Sequence, residues 1–86
     1  MKQQRTRPSG PSLRSKRIKS EVVGSLVCQK IGRSRAWLSS VENGYATATP
    51  EELEHLNQTI DEIVRTREQI AKLASEAGLS LAGVRL

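Results

Sequence analysis

Residues 49–78 hold the pattern that most narrows what this chain can fold into. Thr49-Pro50-Glu51-Glu52 reads as a helix start: a threonine to cap, a proline in the first turn and a glutamate placed to close a capping box. Behind it Leu53, Leu56, Ile60, Ile63, Arg67, Ile70, Ala74 and Ala77 follow a three-four spacing, the seam of a coiled coil with one charged interruption at Arg67, and Gly78 supplies a stop. Asp61 with Arg65 and Glu68 with Lys72 stand four apart in the favourable order. At 1.5 Å per residue the helix is about 40 Å long. In a chain of 86 residues, that leaves one small domain ahead of it, for which a partner chain is a useful source of stability. The seam therefore predicts a homodimer interface at Leu53, Leu56, Ile60, Ile63, Arg67, Ile70, Ala74 and Ala77. Val64, Ala71 and Leu73 widen it, which leaves open that the helix also packs on the head domain or enters a coil of more than two strands, in either orientation.

The rest of the chain reads as short helices. Met1 to Gly10 is rich in Gln, Arg, Ser, Pro and Gly and cannot contribute much core, which predicts a flexible arm. Gly10-Pro11 opens a short helix through about Ser20, with Leu13 and Ile18 as a thin apolar stripe. From Glu21 the residues Val22, Val23, Leu26, Val27 and Ile31 recur at three- and four-residue steps, marking a second helix that Gly32 ends. Ser34 can cap a third, whose Trp37, Leu38 and Val41 share a face and which Asn43-Gly44 stops. Strand signals and internal repeats are missing. The expectation is an all-α protein: a flexible basic arm over 1–10, a compact head over 11–46, a long amphipathic helix over 47–78 and a tail over 79–86.

Charge is unevenly spread. The chain carries a net +5, yet residues 1–19 hold seven Lys or Arg and no acid, while residues 50–86 hold seven acids against four bases. A cationic front end argues for a polyanionic partner, with phosphates the obvious candidate. The longest apolar run is far short of a membrane span, and the basic N-terminus leads into no apolar signal stretch, which predicts a soluble, cytoplasmic protein. Cys28, the lone cysteine, is compatible with a reducing compartment.

The segment from Gly24 to Gly44 resembles the helix-turn-helix of the phage-repressor and Cro class, also called the xenobiotic-response-element family. The resemblance covers about residues 13–44. It rests on a small residue in the first motif helix at Cys28, a turn glycine at Gly32, and apolar residues at Val27, Ile31, Leu38 and Val41. Ser34-Arg35 opens the second motif helix as family members often do, and Glu42 followed by Gly44 matches a common ending. The small residue lets two helices approach, the glycine permits the turn, and the apolar set clamps the crossing. The sequence departs from the family at Gly24, where a Gln is common, near Val23, where a Ser or Thr cap is usual, and at Arg33, where an aliphatic residue is frequent. The implied fold is a lambda-repressor-like helix-turn-helix head followed by the long C-terminal dimerisation helix.

Helical spacing alone puts Arg35, Ala36, Ser39, Ser40 and Asn43 on an arc opposite Trp37, Leu38 and Val41. That arc can enter a major groove, its small residues letting the backbone come close and Arg35 having the fork geometry to read guanine. The resemblance implies that Arg35, Ala36, Ser39 and Ser40 face bases and that Ser34 and Asn43 lie near phosphate. Arg33, in the turn, is expected on a phosphate, and the arm with Lys2, Arg5 and Arg7 on phosphates or in the minor groove. Trp37 and Tyr45, the two aromatics, read as a hydrophobic cover for the motif, and Cys28 as a small core residue.

Catalysis has no residues to run on in this pattern: a Ser-His-Asp set, a paired acid and base, and a phosphate-cradling glycine loop are all missing. No cofactor or metal is expected either, since Cys28 and His55 have no partner at ligand spacing. The leading expectation is a double-stranded DNA-binding regulator of transcription, a repressor acting as a homodimer on a two-fold symmetric operator. The alternative is a protein-interaction module, such as an antitoxin or antirepressor, whose long helix binds another protein. A third is nonspecific nucleic-acid binding driven by the arm. Competition with random DNA separates the first from the third.

Overall fold

The computed structural model describes residues 8–78. The expectations for Lys2, Arg5, Arg7 and the tail 79–86 lie outside the described residues. The protein is all-α, with four helices in the order α1 Gly10–Lys19, α2 Gly24–Ile31, α3 Arg35–Glu42 and α4 Pro50–Glu76, and no strand among the described residues.

Each helix starts where a local signal places it. Ser9 and Ser12 form a reciprocal capping box on α1, with Pro11 in the first turn. Gly10, placed by the sequence at the end of the arm and the opening of a helix, is the first residue of this helix and is buried. A Cβ there would stand 1.9 Å from the Val41 carbonyl oxygen, so only glycine lets α1 begin against the backbone of α3. The Ser34 hydroxyl accepts the Trp37 N–H to cap α3. On α4, Thr49 accepts from the Glu52 N–H at 3.0 Å while the Glu52 carboxylate accepts from the Thr49 N–H at 2.8 Å.

The second helix begins later than its apolar spacing predicts. Glu21 adopts a left-handed conformation (φ 55°), and the chain then runs extended to Val23, the N-cap, whose side chain can accept no hydrogen bond. Val22 is buried in the core from this linker rather than from a helix, and Val23 is 48% exposed. The stripe expected on α1 reduces to Leu13, since Ile18 faces out. Tyr45 is 85% exposed and covers nothing.

The core joins Leu13 of α1, Val22, Val27 and Cys28 of the α2 region, Leu38 and Val41 of α3, and Leu56, Ile60 and Ile63 of α4. It does not stop at residue 46. The first half of the long helix closes the head, packing on α1 and α2, so the core takes in residues of α4 beyond the expected head. This corrects the interface expectation at Leu56 and Ile60, which are buried within one chain, while Ile63, also buried, keeps only an edge in a groove between α2 and α4. Leu53 is also packed against this core. Arg67, expected in the seam, turns to the head: its guanidinium donates to the carbonyl oxygens of Ser20 and Glu21, the C-terminal end of α1. Asp61 accepts from Lys16 of α1 at 2.8 Å, and neither Asp61–Arg65 nor Glu68–Lys72 forms an ion pair. Beyond Arg67, Ile70 is half-buried, Ala74 is buried apart from the core cluster, and Leu73 and Ala77 are exposed.

Candidate nucleic-acid interface

The turn between α2 and α3 is built by Gly32, whose left-handed backbone (φ 72°, ψ 34°) returns its N–H to the Cys28 carbonyl at 2.8 Å; Arg33 donates to the same oxygen at 3.1 Å. Cys28 lies beneath the turn, its thiol directed at the Ser34 carbonyl at 3.5 Å. Burial pushes this thiol up from its ordinary value, against the pull of the Arg35 charge, so it stays protonated and behaves as a small core residue.

α3 divides cleanly. Leu38, Val41 and Glu42 face inward, Trp37 is half-buried, and Arg35, Ala36, Ser39 and Asn43 are exposed, with Ser40 half-covered. The outward arc expected from the sequence is therefore present as a surface. Asn43 donates its side-chain amide back to the Ser39 carbonyl at 2.9 Å and reaches the Ser39 hydroxyl at 3.3 Å, linking two polar residues of the arc. The Ser40 carbonyl accepts from the N–H groups of Tyr45 and Ala46 and so fixes the end of the helix. Ser34 is exposed but holds its hydroxyl on the Trp37 N–H.

The only acid on α3, Glu42, is removed from the surface. Arg17 of α1 grips it with two parallel hydrogen bonds, Nε to Oε2 at 2.7 Å and Nη2 to Oε1 at 3.0 Å, and sends its remaining Nη1 to the Val22 carbonyl at 2.9 Å. The hydrogen bond to Glu42 raises the Arg17 pKa further against the opposing cost of burial. The pair thus joins α1, the α1–α2 linker and α3, and no buried side-chain nitrogen or oxygen among the described residues is left without a hydrogen-bond partner. Sequence reasoning missed it. The signal was there: Arg17 stands one turn from core Leu13, and Glu42 directly follows core Val41.

Arg33 and Arg35 behave differently. Arg33 forms an ion pair with Glu52 at the start of α4 and lies over the Trp37 ring, 4.5 Å from its centroid. Arg35 has no acidic partner among the described residues, and its guanidinium lies across the start of α2, beside Gly24. The acids of the long helix, Glu51, Glu52, Glu54, Asp61, Glu62, Glu68 and Glu76, all belong to α4, whereas α1 to α3 contribute Arg14, Lys19 and Lys30 as further exposed bases.

Comparison with known proteins adds no relative: a scan against family models, a search of curated proteins and a search of solved structures each returned no significant match.

Elsewhere the described residues line further shallow grooves. One of about 270 Å³ is lined by Pro8, Pro50, Leu53 and Glu54; another, about 150 Å³, lies between α2 and α4 and is lined by Leu26, Lys30, Ile63 and Thr66. No cluster of His, Cys, Asp or Glu suited to a metal ion occurs among the described residues, and none of their helices is long and apolar enough to cross a membrane.

Proposed function

We propose that the chain is a sequence-specific double-stranded DNA-binding regulator of transcription, acting as a repressor by occupying its site as a homodimer. The observation that carries this reading is the outer arc of α3. Arg35, Ala36, Ser39 and Asn43 are exposed together on a helix whose sole carboxylate is turned inward and neutralised by Arg17. A helix with small polar residues, an arginine in its first turn that no acid pairs among the described residues, and no exposed acid suits the major groove. Arg35 is the base-reading residue in this arrangement. Arg33 commits one guanidinium nitrogen to Glu52 and keeps its other donors for a phosphate, which makes it an affinity contact weakened by the neighbouring carboxylate.

Dimerisation falls to the part of α4 that the head leaves uncovered. Thr66, Ile70 and Leu73 continue at three- and four-residue steps from the groove lined by Leu26 and Ile63, forming a stripe for a second copy. Exposed Leu73 also supports the second reading, a module whose long helix binds a different protein.

Selection of bound sequences from a random DNA pool tests the main reading. It is expected to return a two-fold symmetric site that survives excess random competitor. Arg35→Ala should cost about 1–3 kcal/mol per half-site and relax preference at one base pair. Arg33→Ala should weaken all sequences alike and reduce the salt dependence. A pool that yields no enriched sequence overturns the reading.

A further inference from the structure

Two buried glycines sit where helices meet, and a side chain at each would collide with something quite different. At Gly10 the obstacle is the Val41 backbone, which cannot move aside. At Gly24, the first residue of α2, a Cβ would stand 2.1 Å from Nη1 of Arg35 and 3.2 Å from its Cζ, with Leu38 Cδ2 next at 3.5 Å, an ordinary contact. The missing side chain at position 24 is therefore filled by the tip of the exposed arginine that opens α3, and by nothing else that would have to yield.

We infer that Gly24 is a positioning residue for Arg35: its bare backbone gives the guanidinium a seat against α2, and this seat fixes from which side of α3 the arginine approaches a base. The inference rests on the DNA-binding reading above. An arginine on a helix surface ordinarily samples many rotamers, and ordering it on binding is an entropic cost that a preformed seat reduces. No ion pair holds Arg35 in place among the described residues. Its placement follows from shape, and residue 24 controls that shape without itself touching DNA.

Gly24→Ala separates this role from a structural one. The added methyl meets only the flexible end of Arg35, and alanine suits a helix better than glycine, so the helical content should be unchanged and Tm unchanged or raised. In the free wild-type protein, nuclear Overhauser contacts between the Arg35 side chain and the Gly24 α-protons are expected. With the selected DNA site, Gly24→Ala should lower discrimination at the Arg35 base pair about two- to tenfold, leaving the salt dependence as it was. In an Arg35→Ala background the same substitution should change nothing. Absence of the Overhauser contacts, wild-type discrimination in a folded Gly24→Ala protein, or an equal loss with Arg35 already removed each overturns the assignment while leaving DNA binding intact. A wild-type protein that selects no sequence overturns the DNA-binding reading, and this assignment with it.

Discussion

The two halves of α4 have the same sequence rhythm and different fates. From Leu53 to Val64 the three-four spacing is used inside one chain: Leu56, Ile60 and Ile63 are among the most buried side chains of the molecule, and Leu53 and Val64 pack beside them. From Arg67 onward the same spacing reaches past the head, and Leu73 stands 64% exposed. A heptad-like pattern states that one face of a helix is apolar. It does not state what covers that face, because a neighbouring short helix and a second copy of the long one accept the same knobs.

The sharpest break in this comparison is made at its buried end. Ile60 is 1% exposed and touches the core on every side; Ile60→Ala should lower unfolding free energy by about 2–5 kcal/mol, read by urea denaturation at a fixed protein concentration. Unchanged stability would mean that the near half of α4 is not part of the head.

At the junction, Arg67→Ala removes the donors that serve the Ser20 and Glu21 carbonyls. A smaller loss, about 1–2 kcal/mol given the partial exposure, is expected in the same measurement. Hydrogen exchange should quicken at the end of α1 rather than at the far end of α4.

A finer effect belongs to the first turn. The Thr49 backbone N–H, and then the Arg33 charge, hold the Glu52 carboxyl below the usual glutamate value. A carboxylate with a lowered folded pKa contributes stability that is present above its unfolded pKa and is lost as pH falls through the folded one. Wild type should therefore exceed Glu52→Gln in Tm near neutrality, and the two should converge in acid. A constant gap across that range would remove the carboxylate from the cap.

Least affected in stability, and most in association, is the far half. Leu73→Asp should leave the single chain within about 0.5 kcal/mol of wild type while shifting sedimentation at micromolar concentration from dimer to monomer. Unaltered dimer mass would move the interface elsewhere.

Much of the fold was legible because its signals are local. Ser34, the Thr49–Glu52 box, Gly32 and Gly44 each act through neighbours one turn away, and the helices begin and end at them. The outward arc of α3 was readable for the same reason, as angle follows from spacing. What could not be read depends on partners distant in sequence. Arg17 and Glu42 are 25 residues apart, and Arg67 is 47 from Ser20. Val22 carries the right residue type at a helical step, yet the left-handed Glu21 takes it out of the helix and into the core from a linker. Arg33 has no acid close to it in sequence, and Glu52 reaches it only through the fold.

α4 runs from Pro50 to Glu76 without a break, with no glycine or further proline inside it, so the head and the far stripe move as one rod. Phase and length can then be varied separately. One residue inserted after Arg67 turns everything beyond it by about 100° and advances it 1.5 Å, carrying Leu73 off its stripe. Seven residues restore the stripe to within about 20° and add about 10 Å of rod. In a homodimer joined beyond Arg67, the single insertion uncouples the heads, whereas the seven-residue insertion keeps them coupled and resets their reach. On the DNA-binding reading proposed above, the distance between two half-sites would thus be written in the length of this helix.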